Sequence, residues 1–191
     1  DGIRLWSCPL APFGSSLTIP AIDTMLNADG TRNIVCSAGI AGTGEYDIFI
    51  IDPEGKKIDQ VAGSYHSMRV DKISPPSEDA RIVVLQRTLD DWVLLGLNDD
   101  GTIAWRYRFA GDKTVFPLNI AHMPLGDGSF AWALLTSDSV LHLIDAKGQE
   151  IDNFTYGKPI KFINTSTWGG KPSVVITPHQ GNSEVWTLSP K

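Results

Sequence analysis

The chain has 191 residues, 42% of them apolar and 20% charged, which is enough for a sizeable core and too apolar for a disordered segment. Its formal net charge is −6 and it holds no run of Lys or Arg, which speaks against a nucleic-acid partner. No apolar stretch approaches the ~20 residues a membrane-spanning helix needs, and the two cysteines, Cys8 and Cys36, show neither Cys-x-x-Cys nor zinc-ligand spacing.

Short β-rich runs bounded by Gly, Pro, Asn and Asp fill the chain, and no window carries apolar residues at helical spacing beyond chance. In chain order, strands are predicted over residues 18–26, 32–37, 46–51 and 57–61, then 67–73, 80–86, 91–97 and 102–109. The pattern repeats over 116–123, 129–135, 139–144 and 149–156, and again over 160–167, 172–177 and 184–188. Second strands such as Ile82-Val83-Val84-Leu85 and Val174-Val175-Ile176 are continuously apolar, as strands buried on both faces are. Fourth strands alternate, as in Ile103-Ala104-Trp105-Arg106-Tyr107-Arg108-Phe109, so one side meets water.

A four-residue turn recurs between third and fourth strands. It reads Asp52-Pro53-Glu54-Gly55, Asn98-Asp99-Asp100-Gly101 and Asp145-Ala146-Lys147-Gly148, with the glycines 46 and 47 residues apart (101 − 55 and 148 − 101). A fixed period of this length marks a repeat architecture. Joined head to tail, the chain ends supply the same turn once more, and residues 3–7 then form the missing fourth strand of the last unit. The expected fold is all-β: a β-propeller of four four-stranded antiparallel blades in a single domain over residues 1–191. The N-terminal strand completes the C-terminal blade, or the chain is half of a larger ring. Either arrangement removes exposed sheet edges.

The stretches Leu97-Asn98-Asp99-Asp100-Gly101-Thr102-Ile103-Ala104-Trp105-Arg106 and Asp1-Gly2-Ile3-Arg4-Leu5-Trp6-Ser7 resemble the quinoprotein-type (PQQ-like) propeller repeat: an apolar third strand, an Asp-x-x-Gly turn, then a Trp-containing fourth strand. The other two repeats carry Ile58-Asp59 and Ile151-Asp152 where that Trp would fall. Residues 23–35, from Asp23 through Asp29-Gly30 to Val35, are similar to FG-GAP-like repeats, which implies an Asp/Asn/Gly-rich calcium loop. Quinoprotein dehydrogenases usually have eight blades and an adjacent Cys-Cys pair against the cofactor, whereas this chain has four repeats and no such pair.

Aligned first strands place Asp23, Asp71 and Asn164 at one level, with Ala121 as the fourth member. If these strands line a channel, the three form an oxygen-ligand site for a hard cation such as calcium; the alternative is that each satisfies backbone N–H groups nearby. Asn27, Asp29 and Asp127 divide the same way between calcium ligands and plain hairpin turns. Loops from second to third strands and from fourth to first share one face of a propeller. They carry Tyr65, His66, Arg87, Asp91, Asp138, Lys158, His179 and Asn182, with Phe13, Asp90, Lys113 and Gln180. A propeller uses such a face for ligands, because loops vary on a rigid scaffold. Trp168, before Gly169-Gly170, is the candidate exposed aromatic. The expected function is a non-catalytic module that binds a protein or glycan, periplasmic or extracellular, with self-association into a larger ring as a further expectation. The alternative is an enzyme: a polysaccharide lyase using His66, His179 and Tyr65 as acid and base, or a fragment of a quinone-dependent dehydrogenase.

Overall fold

The computed structural model describes residues 6–10, 16–42, 46–71, 79–88, 91–109, 117–125 and 128–188, and every regular element among them is a β-strand. The strands are β1 (Leu17–Leu26), β2 (Arg32–Ile40), β3 (Tyr46–Ile51), β4 (Lys57–Val70), β5 (Ile82–Arg87), β6 (Trp92–Leu97) and β7 (Ile103–Arg108). They continue with β8 (Pro117–Pro124), β9 (Phe130–Thr136), β10 (Val140–Asp145), β11 (Glu150–Thr155), β12 (Ile160–Trp168), β13 (Lys171–Pro178) and β14 (Glu184–Thr187). Three sheets result: β1 to β7 in sequence order, β8 to β11 as a four-stranded meander, and β12 to β14 as a three-stranded one. The chain divides into two compact units, Asp1–Leu89 with Val93–Arg106, and Asp90–Trp92 with Tyr107–Lys191.

The recurring turn has one structure after β3, β6 and β10, and the β1–β2 turn shares it. Gly30, Gly55, Gly101 and Gly148 have φ of 82°, 85°, 76° and 81°. In each case the glycine N–H donates to the carbonyl three residues back, at 2.9–3.1 Å. The first residue of the turn also donates its N–H to the residue after the glycine, at 2.8–2.9 Å (Asn27 to Thr31, Asp52 to Lys56, Asn98 to Thr102, Asp145 to Gln149). This is a tight turn closed by a left-handed residue, a conformation glycine adopts without a Cβ clash. Two of the loops, Asn27 to Thr31 and Asn98 to Thr102, share the sequence Asn-x-Asp-Gly-Thr and the same side-chain bonds. The threonine hydroxyl reaches the aspartate at 2.6 Å and its N–H reaches the same oxygen at 2.9 or 3.0 Å.

Alternation along the central strands divides the first unit into two apolar faces. Val35, Ile48 and Ile50 join Met25, Met68, Ile82, Val84 and Leu95 in one cluster. Their neighbours Cys36, Ala38, Phe49 and Ile51 face the other way, and Trp6, Cys8 and Leu10 pack on them. In the second unit Ala131, Ala133 and Leu135 of β9 pack with Ile163, Val174 and Ile176. The intervening Trp132 is fully buried with its ring edge-on to Phe130. Burial of each such aliphatic side chain stabilises by about 1.5–3 kcal/mol.

One expectation is corrected. The predicted break between residues 61 and 67 does not exist: β4 runs through it, pairing with β3 as far as Tyr65 and with β5 from Tyr65 onward. Gly63 there marks a close approach. A Cβ at Gly63 would overlap the Tyr65 ring, and its N–H donates to Asp47 Oδ1 at 3.0 Å. The closing strand expected over residues 3–7 falls mostly outside the described residues. Residues 3–5 lie outside the described residues, while Trp6 and Ser7 are in no strand. Trp6 belongs to the first unit, where its indole N–H donates to Pro53 O at 3.1 Å and its ring covers Gly55. Among the described residues, the last sheet has three strands.

Candidate functional site

The β11–β12 loop and the β13–β14 loop meet at one end of the last sheet. Extended chain cannot make both reversals without relief, and Gly157 and Gly181, with φ of 79° and 100°, supply it. His179 N–H donates to Pro159 O at 3.1 Å, so the two loops are joined through the backbone. Between them opens a cleft of about 280 Å³ lined by Lys158, Pro159, Pro178, His179 and Gln180. Its polar groups are an ammonium, an imidazole and an amide, and no carboxylate lines it. Prolines stiffen both walls.

Beside the cleft lies an aromatic cluster anchored on Glu184. Tyr156 OH donates to Glu184 Oε1 at 2.7 Å, and the Trp186 indole N–H donates to Oε2 at 2.9 Å. Those two bonds, with the Lys158 charge adding to them, hold the Glu184 carboxyl below its ordinary range. Trp186 stacks on Phe154 with centroids 5.4 Å apart and planes 8° from parallel, and leans on Tyr156 at 5.6 Å. It remains 38% exposed, and Val185 beside it 44%.

Lys158 and His179 are thus brought together, with Asn182 exposed in the same loop. Arg87 ends β5, exposed. Asp91 accepts from the Trp92 N–H at 2.8 Å and so starts β6. Asp138 is a turn residue, 2.6 Å from the Thr136 hydroxyl. Tyr65 and His66 are not in a loop; both lie in β4. Tyr65 is only 4% exposed, packed in the first core, where burial first and Asp47 second push its hydroxyl pKa up. Tyr65 is therefore not a rim aromatic. Phe13, Asp90 and Lys113 lie outside the described residues.

Two of the three residues of the cation reading, Asp23 and Asn164, bond local backbone through their side chains. Asp23 Oδ1 accepts from Thr24 N–H and Asn164 Oδ1 from Thr165 N–H, each at 2.9 Å. Asp71 is fully buried after β4, and its N–H donates to Arg81 O at 2.7 Å. Among the described residues, no three His, Cys, Asp or Glu side chains are grouped as a metal site would require. Asp29, the FG-GAP-like candidate, already accepts two bonds from Thr31, which hold its carboxyl below the ordinary range; Asp127 is outside the described residues.

Two clusters carry no expectation from sequence. Arg81 is fully buried and makes a two-pronged bond to Asp99, through Nε at 3.0 Å and through Nη2, while Nη1 donates to Leu26 O at 2.6 Å. It ties the end of β1, the start of β5 and the β6–β7 turn together. The second cluster gathers on Glu150. Tyr107 OH donates to Glu150 Oε2, His142 Nδ1 lies 2.8 Å from that oxygen, and Asn153 donates to Oε1 at 2.5 Å. Burial alone would raise the Glu150 carboxyl, but the bonds from Tyr107, His142 and Asn153 outweigh it and hold the group below its ordinary value. Phe109 closes the cluster edge-on to both rings. His142 is a structural histidine, bonded to Glu150. Cys8 and Cys36 are free thiols in one cluster, and burial, then the Cys8 charge, pushes Cys36 up to about 11.

No family profile matches this sequence, and no curated protein does. Solved structures do. The chain is similar to BBS1N in a crystal structure of its complex with ARL6DN, with a TM-score of 0.67 at 16% identity, over 93% of this chain and 53% of that one. It is similar to the WD40 domain of SCAP from fission yeast (TM-score 0.61, 13% identity, 93% and 44% covered) and to the Dos1 propeller (0.60, 11%, 90% and 43%). The chain spans about half the length of the structures it matches. With these likenesses the fold is that of a β-propeller, built from antiparallel meander units.

Proposed function

We propose that this chain is a non-catalytic scaffold that binds a protein partner through the loops joining second to third strands and fourth to first. The observation that carries the reading is the Lys158–His179 cleft. Two loops of that class are fastened to each other there and present donors on stiff walls. The similarity to propellers, one of them described in complex with ARL6DN, supports a protein partner over a small-molecule one. Completion of a larger ring by a second copy is a separate part of the proposal, decided by sedimentation velocity: a strict monomer removes it.

The test is affinity capture with mass spectrometry, comparing the wild-type chain with a Lys158→Glu, Asn182→Lys double variant. Both side chains are exposed, so the fold is expected to be unchanged by circular dichroism. Partners held by the wild type and lost from the variant support the reading. Identical recovery from both, or no saturable partner, contradicts it.

A further inference from the structure

Cys8 and Cys36 lie 28 residues apart (36 − 8), yet both belong to one apolar cluster of the first unit. Alternation along β2 and β3 builds the floor of that cluster. Cys36, Ala38, Phe49 and Ile51 turn to the face opposite the larger core, with Cys36 directly across from Phe49. Trp6, Cys8 and Leu10, every second residue over 6–10, pack onto that floor. Trp6 anchors them: its indole N–H donates to Pro53 O at 3.1 Å and its ring covers Gly55, so the segment enters at the β3–β4 turn. Cys8 follows two residues on, and the two thiols are near enough for the charge of one to act on the other.

The two sulfurs differ in access. Cys36 is 2% exposed, in the middle of β2. Burial first, and the Cys8 charge second, push its thiol up to about 11, so at neutral pH it is almost wholly protonated. Cys8 is partly exposed. A dissolved disulfide therefore meets Cys8 and not Cys36.

We propose that Cys8 and Cys36 are a modification site: a reversible intramolecular disulfide that fastens residues 6–10 to β2, with Cys8 as the point of entry. The oxidant is a small dissolved disulfide, of which oxidised glutathione is the probe. The Cys8 thiolate attacks one glutathione sulfur. A Cys8–glutathione bond forms, the S–S bond of the oxidant breaks, and one glutathione leaves with the electron pair and takes up a proton. Cys36 then gives up its proton and attacks Cys8 Sγ. The protein S–S bond forms, and the second glutathione leaves and is protonated in turn. Two protein thiols are oxidised, one disulfide is reduced to two thiols, and protons balance. The bond closes a 28-residue loop (36 − 8) that includes the whole of β1, which restricts the unfolded chain and favours the folded one. Its formation needs no bound partner, so it stands apart from the protein-binding reading above.

Equilibration of the intact chain in glutathione redox buffers, quenched with acid and read by mass spectrometry and thiol titration, is the test. The folded chain is expected to lose both thiols, to become about 2 Da lighter, and to yield a Cys8–Cys36 linked peptide on digestion. Fold and bond favour each other reciprocally, so the disulfide is expected to be about a hundredfold more stable in the native chain than in the same chain in urea. Cys36→Ala stops the reaction at the Cys8–glutathione adduct. Cys8→Ala leaves Cys36 a free thiol, and circular dichroism checks that both variants fold. Thiols that stay free in the folded wild type, a lasting glutathione adduct on its Cys8, bonds between chains, or equal stability of the disulfide in buffer and in urea overturns the proposal. Glutathione on Cys36 in the folded Cys8→Ala variant overturns Cys8 as the point of entry.

Discussion

Arg81 shows how much one residue holds in place. Its guanidinium is fully buried while the side chain of its partner Asp99 is 36% exposed, so the two ends of the pair are not equivalent. Asp99→Asn leaves a buried cation short of its counter-charge and is expected to cost about 3–5 kcal/mol. Arg81→Met leaves a carboxylate that water reaches, plus one carbonyl, and costs less; urea unfolding of the two variants checks the order. Glu150 gives the pH dependence. A carboxyl held below its ordinary value in the folded state contributes stability that is fully present above the unfolded pKa of about 4.3 and is lost as pH falls through the folded one. Urea unfolding of the wild type therefore weakens on going from pH 7 toward pH 3, and Glu150→Gln flattens part of that slope. An equal slope in both proteins would remove Glu150 from the explanation. Ser139, at φ 64°, sits in the left-handed position that glycine fills in the other turns. Ser139→Gly is expected to raise stability by about 0.5 kcal/mol, net of glycine's extra freedom when unfolded.

Among elements, the hairpins and central strands were the most legible part of the sequence. The Asp-x-x-Gly and Asn-x-x-Gly turns announce a left-handed residue, and each glycine adopts one. The continuous apolar runs of β5, β9 and β13 sit at the centre of their units, where both faces are covered. What sequence misjudged was non-local. The two strands predicted over 57–61 and 67–73 are one, because Tyr65 pairs with Tyr46 on one side and Gln86 on the other. Arg81 stands just before β5, a place where a charged residue ordinarily faces water, and its partner lies 18 residues on in a turn. Lys158 and His179 were legible as loop residues of one face; the backbone bond that joins their loops was not. Gly96 makes the same point as a prediction. A Cβ there would overlap the Trp105 ring from the neighbouring strand. Gly96→Ala is expected to cost about 1–3 kcal/mol by displacing that ring, read as a lower unfolding midpoint with unchanged denaturant slope.

At the scale of the molecule, the consequence of the repeat is a sheet order that follows the chain, with each unit centred on its second and third strands. Among the described residues three meander units show a fourth strand and the last shows three, with β14 bonded to β13. Amide hydrogen exchange by NMR tests the repeat most directly. Slow exchange is expected throughout β2, β5, β9 and β13. Unprotected amides in β9 and β13 would contradict it.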